Sequence, residues 1–218
     1  MRNRTTFFLL AIAAFLANNA AAQSNNDVHS ILLVRTGFRS GKAFTYHYVE
    51  GFQERGRWIY PDIGYIDFGE TKQYREFFIG AGGAVITSKH FRFIEEGMVE
   101  QALGPASEHA TYFIPWSFAP FNITPRLGGE IVYFPYLPLN KQGRIQHVLE
   151  RAKVEYDFKH FKAGVGYGAY QFADGPWENK PFITATLKAG QLGNFEFWLQ
   201  RLPGNHAHLQ VRYAKAFN

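Results

Sequence analysis

The chain has 218 residues, no Cys and a formal charge of +5. The absence of Cys excludes disulfides, thiolate metal sites and a lipid anchor on an N-terminal Cys. So small a basic excess gives no argument for nucleic acid, whereas 17% aromatic residues at a mean hydropathy of -0.23 call for a large apolar surface of some kind.

Residues 1–22 read as a secretory signal peptide. Arg2 and Arg4 give a positive start, Phe7 to Leu16 is an apolar run, and Ala20-Ala21-Ala22 is a small-residue cleavage site. The other reading, a membrane anchor, needs about 20 apolar residues, more than this run supplies. Residues 23–218 then form one domain. Without Arg2 and Arg4 it carries 21 Lys+Arg against 18 Asp+Glu, a formal +3. No later stretch is long and apolar enough for a membrane helix. An exported, aromatic-rich chain of this kind is either a soluble β protein with an aromatic core or a β-barrel facing lipid.

Period-two alternation runs through the domain. In 42–54, Phe44, Tyr46, Tyr48 and Phe52 oppose Thr45, His47, Gly51 and Gln53. In 144–158, Val148, Ala152, Val154, Tyr156 and Phe158 share one face, with Glu150 the exception, and Leu149, Arg151, Lys153, Glu155 and Asp157 share the other. In 206–217, Leu209, Val211, Tyr213 and Phe217 oppose His208, Gln210, Arg212 and Ala214, and Lys215 falls on the apolar face. The full set of segments is 27–38, 42–54, 57–69, 73–87, 90–102, 109–119, 128–138, 144–158, 161–172, 180–189, 194–202 and 206–217. Short turn-rich connections such as "ERGR", "TSKH" and "NKQG" separate them, with no amphipathic helix between. Pro115, Pro120, Pro125, Pro135 and Pro138 interrupt 109–138. Proline removes a ladder donor, so the count falls from twelve to ten if these segments are irregular.

Segments of about 10–14 residues exceed the usual 5–6 of soluble proteins and suit a tilted membrane-spanning strand. The expected fold is all-β, a closed antiparallel transmembrane β-barrel of about twelve strands. The leader, the absent Cys, the repeated amphipathic hairpins and the final aromatic-bearing strand make the chain resemble a small bacterial outer-membrane β-barrel protein. The resemblance is architectural. It implies Sec-type export to the bacterial outer membrane, with lipid around the barrel, small polar solutes inside and no nucleic-acid partner.

With the polar face turned to the lumen, Arg92, Glu96, Glu100, Arg151, Lys153, Glu155, Asp157, Lys162, Lys188, Glu196 and Arg212 line it, joined by Gln200 and His208. Arg151, Lys153, Lys162, Lys188 and Arg212 form a basic wall, and Glu96, Glu100 and Glu155 its acidic counterpart. Opposed walls set up a transverse field that orders ions in a narrow pore. Alternatively the charges pair across the lumen and plug it. Gly80, Gly82, Gly164, Gly166 and Gly168 also face inward. They leave room for solute or for a bulky neighbour such as Trp198 or Tyr170, or they serve sheet curvature alone.

No cofactor-binding or metal-binding motif is present, and catalytic signals are few. Ser88 and His90 share a strand end, a pattern compatible with a lipid hydrolase. His206 and His208 lie two apart, a polar rim rather than a metal site. Trp58, Tyr60, Trp116, Trp177 and Trp198 sit near segment ends, where a barrel carries its interfacial girdle. The leading expectation is a porin-like channel for passive diffusion of small polar or charged solutes. The alternatives are an outer-membrane lipid-modifying enzyme and a soluble lipocalin-like binding protein.

Overall fold

The computed structural model describes residues 28–39, 42–68, 74–104, 109–202 and 206–217. The signal peptide read over 1–22 lies outside the described residues.

Twelve strands follow one another: β1 (Val28–Arg39), β2 (Lys42–Arg55), β3 (Trp58–Phe68), β4 (Tyr74–Thr87), β5 (Arg92–Leu103), β6 (Thr111–Asn122), β7 (Leu127–Pro138), β8 (Gln146–Asp157), β9 (Phe161–Phe172), β10 (Glu178–Lys188), β11 (Asn194–Leu202) and β12 (His206–Phe217). Each pairs antiparallel with its neighbours in sequence. β1 pairs with β12 from Ser30↔Phe217 to Arg39↔His208, which closes the barrel. Twelve residues of strand extend about 40 Å, so at the roughly 45° tilt usual for barrels they span about 28 Å, close to a hydrocarbon core.

One end carries tight turns, and the longest connections lie at the other. At the tight end, side chains replace missing ladder bonds. Ser88 Oγ accepts from Phe91 N–H and donates to Phe91 C=O, both at 3.0 Å. Thr124 Oγ1 accepts from Leu127 N–H at 2.9 Å, and Asp157 Oδ1 from Lys159 N–H at 2.8 Å. The other end includes the connections 104–110, 139–145 and 173–177.

The outer face is apolar. Ile63, Ile79, Val99, Val165, Ile183 and Leu199 stand exposed on β3, β4, β5, β9, β10 and β11. Polar side chains on strands that are not neighbours meet instead through the interior. Arg212 of β12 reaches Glu130 of β7 at 3.8 Å, and Tyr46 of β2 donates to Gln210 of β12 at 2.5 Å. This is the inverse of a soluble domain and the arrangement a lipid-embedded barrel requires.

The proline-rich segments are both strands, so the count is twelve. Pairing of β6 with β7 holds at Phe113↔Leu137 and Ser117↔Tyr133 and lapses between them. The same register sets Pro115 opposite Pro135, so the missing donors coincide in one gap. β8 contains a bulge: Arg151 pairs with Val132 and Leu149 with Tyr133, leaving Glu150 extra. The bulge explains why Glu150 broke the alternation. It also overturns the expected placement of Val148, which packs against the buried interior cluster. A second correction concerns β2, whose Tyr46 and Tyr48 point inward while His47 is exposed. The side chain of Phe44 lies outside the described residues. Trp58, Tyr60 and Trp177 are exposed, but Trp116 and Trp198 are interior residues rather than girdle residues.

Candidate lumen site

The lumen has two unlike halves. On β8 to β12 and β1, with Glu130 at the near end of β7, it is built from ions. Four cations, Arg35, Arg151, Lys153 and Arg212, interleave with four carboxylates, Glu130, Glu150, Glu155 and Glu196. Arg151 Nε meets Glu130 at 2.5 Å and its Nη1 meets Glu150, which also pairs with Arg35. Lys153 Nζ contacts Glu196, Glu155 at 3.0 Å and Glu130 at 3.3 Å. Arg212 meets Glu196 at 3.2 Å. The Trp198 indole N–H donates to Glu196 at 2.7 Å, and Thr184 and Thr186 each donate to Glu155 at 3.1 Å. The guanidiniums of Arg35 and Arg151 sit over the Trp198 ring, 4.9 and 5.7 Å from its centroid. Formal charge within this belt cancels, and such density of contacts is what buried charges need in order to persist away from water.

On β4 to β7 the wall is aromatic. Trp116 stacks on Phe134 at 4.1 Å, and Tyr112 meets Tyr136 edge-on at 5.4 Å. Tyr48 of β2 stacks on Phe78 of β4 at 6.0 Å. Among these rings stand carboxylates. Glu50, Asp62, Glu96 and Glu100 are buried and form no ion pair among the described residues. Neither oxygen of Asp62, nor Oε1 of Glu100, has a hydrogen-bond partner. Glu76 accepts from the Tyr136 hydroxyl at 3.3 Å.

The belt divides the interior. Toward the long-connection end lies a cavity of about 650 Å³ lined by both tyrosines of β2, the aromatic wall and Glu76 and Glu100, with Arg35, Glu150 and Trp198 at its floor. Toward the tight-turn end lies one of about 290 Å³ lined by Arg92, Glu130, Lys153, Glu155, Asp157 and Lys162. No residue lines both cavities, and Arg151, Glu196 and Arg212 line neither.

Every charged residue picked out for the lumen lies on an inward position, but not as two opposed walls. Arg151, Lys153, Glu155, Glu196 and Arg212 join the belt. Glu96 and Glu100 belong to the unpaired acids. Arg92 pairs with Glu54, and Lys188 with Asp157 at 2.5 Å, at the tight-turn end, where Lys162 lines the smaller cavity. The glycines face inward onto neighbours rather than open space. A Cβ on Gly166 would stand 2.2 Å from the Phe182 ring, which stacks on Trp198 at 4.6 Å. On Gly164 it would stand 1.9 Å from Val154 C=O, and on Gly82 2.1 Å from Glu95 C=O, both backbone. On Gly80 it would meet Met98 at 2.6 Å, and on Gly168 Glu150 C=O at 3.0 Å. Ring packing and close strand approach account for the row. Both ring nitrogens of His208 are occupied, by Thr45 at 2.9 Å and Gln200 at 3.0 Å; the His206 side chain lies outside the described residues. Among the described residues no group of three or more His, Asp or Glu could hold a metal ion.

The aromatic wall was missed in the sequence, although a signal for it exists. Tyr112 to Phe121 is apolar on both faces. A strand with no polar face cannot line a wholly solvated lumen.

No family model and no curated protein matches the chain. Among solved structures it is similar to KdgM porin, at TM-score 0.56 and 11% identity over 86% of this chain and 99% of that one. The same figures hold for KdgM porin in complex with disordered oligogalacturonate. A Rhodopseudomonas blastica porin triple mutant aligns at TM-score 0.41 and 13% identity, over 79% of this chain and 56% of that one. The likeness to KdgM is one of fold.

Proposed function

We propose that this chain, a closed twelve-stranded barrel of the small outer-membrane class, is a porin-like channel of the outer membrane that passes small polar solutes and favours cations. Export by the leader over 1–22, through a Sec-type route, belongs to the same reading. One observation carries it. Polar groups of non-adjacent strands meet inside the barrel while the outside is apolar, so the polar path runs through the lumen. The KdgM barrel, seen with oligogalacturonate, lends support by fold.

The sign of the preference follows from pairing. Arg151, Lys153 and Arg212 are matched by carboxylates within the belt and contribute little net field. Glu50, Asp62, Glu96 and Glu100 have no matching cation beside them. Carboxyl groups without a counter-charge favour an entering cation over an anion, because they can ionise against it. The belt is then the constriction rather than an anion-selective wall. Ser88, the candidate for a lipid hydrolase, gives its proton to a backbone carbonyl, so that alternative gains no support; nor does a lipocalin-like protein, given the apolar exterior.

Single-channel conductance of the folded protein in a planar bilayer under a salt gradient tests the reading. The expected result is discrete steps with a cation-favouring reversal potential that moves toward zero in Glu96→Gln/Glu100→Gln. Absence of steps from inserted protein, both native and in the belt-opening variant Arg151→Gln/Glu130→Gln, overturns it.

A further inference from the structure

The wall between β6 and β7 has a flaw at one height. Pairing lapses between Phe113↔Leu137 and Ser117↔Tyr133. Pro115 and Pro135 face each other there, and neither can donate. The adjacent bulge at Glu150 disturbs the other edge of β7 at Val132 and Tyr133. A closed barrel exists in lipid because its ladder satisfies every backbone group. Here it spares two bonds at a single place, and the other ladder of β7, intact from Phe134 to Tyr136, is interrupted just beyond it.

What lies on each side of the flaw is unusual for a polar channel. Outside, Phe113, Ile131 and Leu137 are exposed on the apolar belt. Inside, Ile114, Trp116, Phe134 and Tyr136 are the inward residues of the same stretch, and all four line the larger cavity. Apolar surface therefore runs from lipid, through the seam, into the cavity. Above the seam, toward the long-connection end, β5 places Glu100 opposite Tyr112. Glu100 is 1% exposed, its Oε1 has no partner, and it lines the same cavity beside Tyr112 and Tyr136.

We propose that the β6–β7 seam is a lateral portal through which a cationic single-chain amphiphile passes between the bilayer and the larger cavity. The alkyl chain lies against Trp116 and Phe134. The ammonium head sits among the Tyr112 and Tyr136 rings at the Glu100 carboxyl group, where ring faces and an acid with no cation beside it, free to ionise against the head, both favour a cation. A volume of about 650 Å³ is within the range of small-molecule sites. The portal needs the barrel to lie in a bilayer but does not need it to conduct.

The test uses the folded protein in phosphatidylcholine vesicles. Trp58→Phe/Trp177→Phe leaves Trp116 and Trp198 as the only tryptophans, which excitation at the red edge selects over tyrosine, since the chain has four Trp. The probe is a long-chain alkyltrimethylammonium bearing a nitroxide at its chain end. Phe113→Cys/Leu137→Cys adds a pair across the seam in a chain that otherwise has no Cys, at a directly paired position whose spacing suits a disulfide. Reduced protein is expected to show fast quenching of the two lumen tryptophans and oxidised protein slow quenching. Quenching through the wall, or by a route from the mouth, is indifferent to the redox state, so equal rates overturn the portal. Pro115→Val/Pro135→Val restores both donors and is expected to slow quenching about thirtyfold, since two hydrogen bonds are each worth on the order of 1 kcal/mol; an unchanged rate there also overturns it. The same chain carrying a sulfate head is expected to quench weakly, and Glu100→Gln to erase the difference between heads. Equal quenching by both heads in the native barrel overturns the assignment of the cation.

Discussion

The ionic side of the lumen, on β8 to β12 and β1 with Glu130 of β7, and the aromatic side on β4 to β7 solve the same problem differently. Ions fill the ionic side. Arg151 has two carboxylates and Lys153 three within ion-pair distance, Arg35 and Arg212 are paired as well, and Arg151, Glu196 and Arg212 line neither cavity. Rings line the aromatic side and leave about 650 Å³ beside them. The charged side thus closes the lumen at the belt, with a cavity to each side of it, and the aromatic side leaves it open. Directional ion pairs draw side chains across the axis until they meet. Stacked rings satisfy one another along their own wall and stop there.

The largest effect is expected from breaking the charged side by one member. Arg151→Gln leaves Glu130 and Glu150 buried with one counter-charge fewer each, which costs about 3–5 kcal/mol. Removing Arg151 together with Glu130 is expected to cost clearly less than the two single changes added. Urea midpoints of the folded barrel in vesicles, taken around the double-mutant cycle, measure the difference. Additive losses would mean that the belt is a set of independent surface pairs.

The two interior tryptophans sharpen the contrast. Trp198 is 2% exposed, between Phe182, Arg35 and Glu196. Truncation to Ala leaves a cavity and removes one of the two donors to Glu196 Oε1, Lys153 remaining, at about 3–5 kcal/mol. Trp116 already borders open volume, so Trp116→Ala forfeits mainly its stack on Phe134, about 1 kcal/mol. Equal losses in the same unfolding assay would show that the aromatic side is as tightly packed as the ionic one.

This contrast also marks what could be read without coordinates. Strand positions were legible because turn residues and period-two runs are local signals; the largest boundary error is at the end of β6, read at 119 and found at Asn122. The inward placement of Arg151, Lys153, Glu155, Glu196 and Arg212 was legible from the same alternation. Pairs within a hairpin, such as Glu196 with Arg212, follow from register, but contacts across the lumen, Lys153 to Glu196 and Arg212 to Glu130, do not, because only closure brings those strands together. Face assignment failed where both faces are apolar, as around Trp116, and where polarity misleads, as at Tyr46. A tyrosine is at home against lipid or at a lumen hydrogen bond, and only the contact with Gln210 decides. Glu150 was visible as an exception, but a bulge is a pairing between two strands and no single strand declares it.

The smallest effects are expected at the glycines, and there the two readings of the row separate. Were they room for solute, an added methyl would narrow a path and leave stability untouched. As packing space they respond by position. Gly164→Ala drives a Cβ to 1.9 Å from a backbone carbonyl, and Gly166→Ala to 2.2 Å from a ring already held by Trp198. Both are expected to lose about 1–3 kcal/mol by overpacking. Gly97→Ala meets only the exposed Phe113 ring at 3.3 Å, and that ring can swing into lipid, so its midpoint should barely move. Gly164 and Gly166 are on β9, beside the belt, where close strand approach lets Phe182 cover Trp198 and Trp198 in turn hold Glu196. A loss at Gly166 that disappears in a Phe182→Ala background would trace that chain of contacts from backbone to ion pair. A loss that persists there would place the strain in the sheet itself.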